Sequence, residues 1–138
     1  HLSRTGQPVR EVTRMAETPG WVTVRRAPPD PRPMVSVIVP TRDRADLLAQ
    51  CADGVLAKTA SGPLELLIVD NGSVEAETAE LFARLGADPR VRILEAPGPF
   101  NFSALNNRAA AEARGEILLL LNNDISVIHE DWLDALVA

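Results

Sequence analysis

A single cysteine, Cys51, stands among the 138 residues, so no internal disulfide can form and no second thiol is available to share a metal. A reducing compartment is the expectation that follows. The two histidines, His1 and His129, are isolated and read as surface residues, because neither has a partner at metal-ligand or catalytic spacing. Long hydrophobic runs are also missing. The longest aliphatic stretch, Ile117 to Leu121, falls far short of the roughly 20 residues that span a bilayer, and the amino terminus lacks a basic-then-apolar signal pattern. The expectation is a cytoplasmic chain with no transmembrane segment in this piece, any contact with the inner face of a membrane being left to a longer parent. A chain that begins at His1 and ends at Ala138 within a helix-like stretch reads as part of such a parent.

Positive charge is scarce: 14 Lys and Arg stand against 19 Asp and Glu, a net charge of −5, which gives no footprint for nucleic acid. The catalytic signatures of several common enzyme classes are absent as well. No G-x-x-x-x-G-K-[ST] loop occurs and no G-x-G-x-x-G follows the first apolar run, which removes the main support for an ATPase or a dinucleotide-dependent dehydrogenase. Neither a G-x-S-x-G elbow nor paired zinc-type ligands are found.

What is present begins with a boundary. Pro28, Pro29, Pro31 and Pro33 crowd into six residues, a density that forbids helix or central strand, so residues 1–33 read as an amino-terminal appendage ending in an extended connector. Within the appendage, Leu2 to Met15 is weakly helical and Trp21 to Arg26 alternates like a short strand. Residues 34–138 change character. Four aliphatic runs, Val35–Val39, Leu64–Val69, Val91–Leu94 and Ile117–Leu121, are each followed by turn residues and a stretch of helical period. Their lack of polar alternation predicts parallel strands buried on both faces, joined by crossover helices into a three-layer α/β domain with a mostly parallel sheet. Apolar residues at Leu47, Leu48, Cys51 and Val55, at Leu81, Phe82 and Leu85, and at Leu105, Ala109 and Ala113 supply the inner faces of those helices.

Open sheets of this kind bind ligands beyond the carboxyl ends of their strands, so the loop residues that follow the runs carry the functional reading. They are Pro40-Thr41-Arg42-Asp43, Asp70-Asn71-Gly72-Ser73, Ala96 to Asn101, and Asn122-Asn123-Asp124. A carboxylate at Asp70 can accept hydrogen bonds from a nucleobase N–H or a ribose hydroxyl; Asp70 and Ser73 can equally cap the following helix. Asp124, flanked by two amides, suits a hard cation such as Mg²⁺ or Mn²⁺ that completes its shell with phosphate oxygens and water, and it also fits a turn. Arg42, Arg44 and Arg108 offer the planar fork that matches a diphosphate, or are solvated surface charges. Asn101 or Ser103 is an available N-cap in the amide-rich stretch that leads to Arg108.

Taken together, Val35-Ser-Val-Ile-Val-Pro-Thr-Arg-Asp-Arg44, Leu67-Ile-Val-Asp-Asn-Gly-Ser73 and Gly115-Glu-Ile-Leu-Leu-Leu-Leu-Asn-Asn-Asp124 resemble, in wording, order and spacing, the amino-terminal half of family 2 glycosyltransferases. The segment Phe100-Asn-Phe-Ser-Ala-Leu-Asn-Asn-Arg108 is similar to the bacterial subgroup that builds O-antigen and rhamnose-rich polysaccharides. The resemblance implies a GT-A, Rossmann-like nucleotide-diphospho-sugar transferase fold that is incomplete at its carboxyl end. It implies that the Thr41 loop, with Pro40, Thr41 and Arg42, and Asp70 hold the base of a UDP- or dTDP-sugar, with Asn71 in the same nucleotide-sugar site. On the same grounds Asn123 lies near the ribose, Asn122 belongs to the same nucleotide-sugar site, Arg108 approaches the diphosphate, and Asp124 ligates Mn²⁺ or Mg²⁺. Asn122 departs from the family pattern, standing where many relatives have the first Asp of a D-x-D motif, which implies a weaker or more phosphate-dependent metal site. The implied acceptor is a glycan or a lipid-linked saccharide. Inverting relatives need a carboxylate base well beyond the metal motif, so no catalytic residue is assigned here; Glu130, Asp131 and Asp134 read as the acidic first turns of a helix. A non-catalytic nucleotide-sugar-binding module and a sugar-1-phosphate nucleotidyltransferase are the alternatives, the latter lacking the Gly-rich basic loop it needs after the first strand.

Overall fold

A strand made only of apolar and small residues is stable where both faces are covered, and Val35–Thr41 meets that condition, since all seven of its residues are buried. A computed structural model describes residues 9–18, 20–59 and 62–138. In chain order its strands are β1 (Val9–Arg14), β2 (Val22–Arg26), β3 (Val35–Thr41), β4 (Leu64–Asp70), β5 (Val91–Glu95) and β6 (Ile117–Leu120). Its helices are α1 (Ala45–Lys58), α2 (Ala76–Leu85), α3 (Phe102–Glu112) and α4 (Trp132–Val137). Strands β5-β4-β3-β6 form a parallel sheet in that order, with β3 and β4 in the interior.

The pleat sends alternate side chains to opposite faces, and the two faces have separate cores. On one, Val37, Val39, Leu66 and Ile68 pack with Leu48, Cys51 and Val55 of α1, Leu81 and Leu85 of α2, and Leu133 of α4. On the other, Ile38, Leu67 and Val69 pack with Leu105 and Ala109 of α3. Each fully buried aliphatic side chain contributes about 1.5–3 kcal/mol, so the interior strands carry most of the sheet's stability. The three-layer parallel α/β arrangement agrees with the reading of the sequence.

Three expectations are revised. Burial on both faces holds for β3 and β4 but not for the edge strands: β5 is mostly half-buried, and in β6 Leu118 and Leu120 are 45% and 50% exposed. They pair with Ser36 and Ile38 and so point to the α3 face, yet α3 packs over β3 and β4 and leaves this edge strand uncovered. Pro40 and Thr41 are not loop residues: they continue β3, paired with Val69 and Asp70. The helical reading of Leu2–Met15 gives way to a strand over Val9–Arg14, which pairs antiparallel with β2; Leu2–Pro8 lie outside the described residues, as does His1. Val-Arg-Glu-Val-Thr-Arg has too little apolar surface to anchor a helix, whereas β2 supplies backbone partners. The hairpin and its connector reach α4 through ion pairs of Arg25 with Asp131 and Arg32 with Asp134, which is where two of the acidic residues near that helix are engaged.

A polar latch closes the amino-terminal end of the sheet. Glu65, only 3% exposed, accepts from the Ser36 hydroxyl at 2.6 Å and from the Arg114 amide at 2.6 Å, and its other oxygen faces Arg92 at 3.4 Å. The Ser36 hydroxyl in turn accepts from the Gly115 amide at 2.8 Å. Burial pushes the Glu65 carboxyl up, but these donors outweigh it and hold the group below its ordinary value.

Candidate functional site at the carboxyl rim of the sheet

The rim is organised around Thr41. Its backbone carbonyl accepts from the Asn71 amide at 2.9 Å, its hydroxyl donates to the Asp43 carbonyl at 3.3 Å, and the same hydroxyl accepts from the Asn123 side-chain amide at 3.0 Å. Since Thr41 also pairs in register with Asp70, the Asp70 strand end and the Asn122-Asn123-Asp124 loop lie on either side of one residue at the same level of the sheet.

Pro40 explains why the second of these opens outward. The Ile38 carbonyl accepts from the Leu121 amide at 2.9 Å and therefore faces β6; by the strand's period of two, position 40 faces the same way. Proline has no N–H to offer there, so the ladder between β3 and β6 cannot continue. Asn122 and Asp124 are exposed immediately beyond that point.

Asp70 is held on one oxygen. Its Oδ1 accepts from the Ser73 amide at 2.9 Å and the Ser73 hydroxyl at 2.6 Å, while Oδ2 has no hydrogen-bond partner among the described residues. The local turn uses half of the carboxylate, and the half-exposed remainder is available to a ligand. Asp70 does not cap α2, because that helix has Glu75 at its N-cap and no side-chain cap. The donors ahead of α2 are met instead from across the rim by Asp43, whose Oδ1 accepts from the Val74 and Glu75 amides at 2.8 and 3.0 Å. Those two bonds, Glu75 first, hold the Asp43 carboxyl below its ordinary value. The Asp43 amide donates to the Ser73 hydroxyl at 2.7 Å, so Asp43, Ser73 and Asp70 form one chain of hydrogen bonds. Asp43 and Arg44 adopt left-handed φ of 53° and 56° to make this turn, a conformation that Asp tolerates better than most residues. The sequence places Asp43 in this loop but does not show its task, since its partners lie 31 and 32 residues away.

Asn71 turns inward. It is 2% exposed, and its side-chain amide donates to the Ala96 carbonyl at 2.9 Å and the Gly98 carbonyl at 3.2 Å, fixing the loop between β5 and α3. Asn101 is the N-cap of α3, its Oδ1 accepting from the Ala104 amide at 3.0 Å, which settles the choice between Asn101 and Ser103. Arg44 is engaged with Asp46 at 3.2 Å. Arg42 and Arg108 are exposed and make no ion pair among the described residues. Asp124 likewise has no hydrogen-bond or ion-pair partner among them. Its charge does reach Cys51: burial first and Asp124 second push that thiol up to about 11, and the S–H donates to the Asn122 carbonyl at 3.5 Å.

No group of three or more His, Cys, Asp or Glu side chains that could cage a metal exists among the described residues. The donors at the rim, one unengaged carboxylate beside two amides, fit a hard cation that brings its remaining ligands with it as phosphate and water. Two clefts of about 470 and 500 Å³ lie elsewhere, the first between the β1-β2 hairpin and α4, and neither is lined by a rim residue.

A parallel α/β sheet with an Asp at one strand end and an Asn-Asn-Asp loop across the next strand agrees with the GT-A type of domain that the resemblance implies. The chain belongs to glycosyl transferase family 2, whose family profile matches residues 36–138. It is 44% identical over 139 residues to the O-antigen biosynthesis protein RfbC of Myxococcus xanthus, an alignment covering all of this chain and 10% of RfbC. Among solved structures, the mannosyltransferase PcManGT of Pyrobaculum calidifontis, in complex with GDP-Man and Mn²⁺, superposes with a TM-score of 0.68 at 26% identity, covering 80% of this chain and 33% of that one. Staphylococcus aureus TarS in complex with UDP shares the fold at a TM-score of 0.60 and 23% identity, over 72% of this chain and 30% of TarS. The chain thus spans about a tenth of that curated relative and about a third of these structures. No helix among the described residues is long and apolar enough to cross a membrane.

Proposed function

We propose that this chain is the donor-binding part of a glycosyltransferase and binds a nucleoside diphosphate sugar across the rim, for transfer to a glycan or lipid-linked acceptor in polysaccharide assembly. The observation that carries the reading is the Thr41 hub. It sets the free oxygen of Asp70 and the unpartnered carboxylate of Asp124 on opposite flanks of one strand end, an arrangement suited to holding the base and the diphosphate of a single ligand. Asp70 accepts from the base or ribose, Asn123 is oriented by Thr41, and Arg42 and Arg108 are free to approach phosphate oxygens. Asp124, with the diphosphate, would hold Mn²⁺ or Mg²⁺, which stabilises negative charge developing on the leaving phosphate. The left-handed turn at Asp43 and Arg44 fixes the loop beside the base before any ligand arrives, so little ordering is needed on binding. Transfer with inversion, by direct attack of the acceptor hydroxyl, is the mode this reading implies.

Isothermal titration of UDP, dTDP and GDP with and without Mn²⁺ tests it. Mn²⁺ is expected to tighten binding of the preferred nucleotide by about tenfold or more, equal to about 1.4 kcal/mol, with the gain lost in Asp124→Asn. Asp70→Asn is expected to weaken binding in the absence of metal, by about tenfold for one charged hydrogen bond. Metal-independent affinity in the unaltered protein, or an undiminished Mn²⁺ gain in Asp124→Asn, refutes the site.

A further inference from the structure

Between Asn122 and Asp131 the only buried residue is Val127, 5% exposed. The loop that bears Asp124 therefore has a single apolar anchor on its downstream side, and that anchor seats against a gap in α1. Gly54 is buried on the helix, and a β-carbon built there would meet Val127 Cβ at 3.3 Å, Cγ2 at 3.4 Å and the backbone N at 3.4 Å. Residues 50, 54 and 58 recur at four-residue intervals and form one stripe of the helix. Along it Gln50 hydrogen-bonds the Ser126 hydroxyl, and Lys58 Nζ donates to the Val127 carbonyl at 3.1 Å. Next to the stripe, Cys51 Sγ reaches the Asn122 carbonyl. The helix thus holds the loop on both sides of Asp124.

We infer that Gly54 is a positioning residue for the proposed metal loop: by admitting Val127 against α1, it sets where Asp124 sits relative to Thr41 and Asp70. The inference rests on the reading of Asp124 given above and adds to it the element that controls its position. Gly54 touches no ligand. A methyl group at 54 has to push Val127 away by a few tenths of an ångström, and coordination to a small hard cation is sensitive to displacements of that size. Base recognition, which depends on β3 and β4, is untouched by the same shift.

Gly54→Ala is the test variant, because alanine is the better helix former and the protein is expected to fold. Nucleoside diphosphate affinity is measured by titration with and without Mn²⁺ in the unaltered protein, Gly54→Ala and Asp124→Asn. Gly54→Ala is expected to reduce the Mn²⁺ gain by about fivefold, as a small misplacement of a ligating group does, while metal-free affinity stays within about twofold. The inference is overturned if Gly54→Ala keeps the full Mn²⁺ gain, or if metal-free affinity falls in equal measure. Persistence of the gain in Gly54→Ala together with its loss in Asp124→Asn removes the positioning role alone. Absence of any gain in the unaltered protein removes the site itself, and this inference with it.

Discussion

Replacing Gly115 by alanine should be among the most damaging single-methyl additions to this chain. A β-carbon there would lie 2.5 Å from the Ser36 backbone N, 2.7 Å from the Ser36 hydroxyl and 2.8 Å from the Met34 carbonyl. Ordinary contact requires at least 3.4 Å, so about 1 Å of separation has to be found. Two of the three atoms are backbone, one in the buried interior strand and one in the residue just before it, and cannot turn aside; β6 must move instead. That motion breaks or stretches the Gly115 amide bond to Ser36 at 2.8 Å and the Arg114 amide bond to Glu65 at 2.6 Å. Overpacking costs about 1–3 kcal/mol, and weakening a buried bond to a charged group about 1.5–3 kcal/mol, giving about 3–5 kcal/mol in all. With a urea slope of about 2 kcal/mol per molar, the unfolding midpoint should fall by about 2 M. The sign is informative, because glycine to alanine at an unstrained site stabilises by about 0.4–1 kcal/mol through the unfolded chain. An unchanged or raised midpoint refutes the close approach. So does full rescue by Ser36→Ala, which removes the hydroxyl and leaves both backbone contacts in place.

Two further outcomes follow from the buried polar groups. Glu65 has its folded-state pKa below the ordinary 4.5, so in the window beneath that value the unfolded chain binds more protons. Its contribution is fully present above about pH 4.5 and is lost as pH falls through the lowered value. Urea midpoints taken from about pH 6 down to about pH 3 should therefore fall more steeply for the unaltered protein than for Glu65→Gln, which starts lower; parallel curves would show that the carboxylate is not held as described. Cys51, fully buried and with its thiol pushed up to about 11, should be about a thousandth thiolate at pH 8. It should resist a thiol reagent in the folded protein and react at an ordinary rate in urea; rapid labelling without denaturant would place the thiol elsewhere.

Much of this architecture is legible in the amino-acid order, for identifiable reasons. The four aliphatic runs predict β3 to β6 to within one or two residues because apolar stretches of four to seven, bounded by turn residues, have few alternatives to a buried strand. Asp70 and Asp124 are legible as rim residues because the first directly follows such a run and the second closes the short amide turn after one. What escapes a linear reading depends on distant partners. Pro40 looks like a strand terminator, yet it stays in the sheet because its missing donor faces β6 and ends only that ladder, while β3 stays paired with β4 through Thr41. Asp43 serves amides 31 and 32 residues away, Asn71 is drawn inward by carbonyls of another loop, and Gly54 and Gly115 matter through the atoms that approach them. The amino-terminal strand was hidden for the complementary reason: six residues with little apolar surface take their structure from the partner strand they meet.

The distribution of polar contacts along β6 has its own logic. The strand has four residues, and two of its leucines are about half exposed, so hydrophobic burial distinguishes poorly between its register and a neighbouring one. A slip of one residue would exchange the faces of all four side chains and carry Asp124 about 3.3 Å along the sheet, out of place relative to Thr41. The interior strands need no such guard, because a slip there would expose an entire core face. For β6 the specification comes from its two ends. Gly115 and Arg114 are latched to Ser36 and Glu65 before the strand, while Asn122 and Val127 are seated on Cys51 and Gly54 after it. Each end excludes the slip by a different means, the first by hydrogen bonds that only one register completes and the second by a gap that only Val127 fills. Loosening either end should therefore be felt first at Asp124, and only later in the stability of the sheet as a whole.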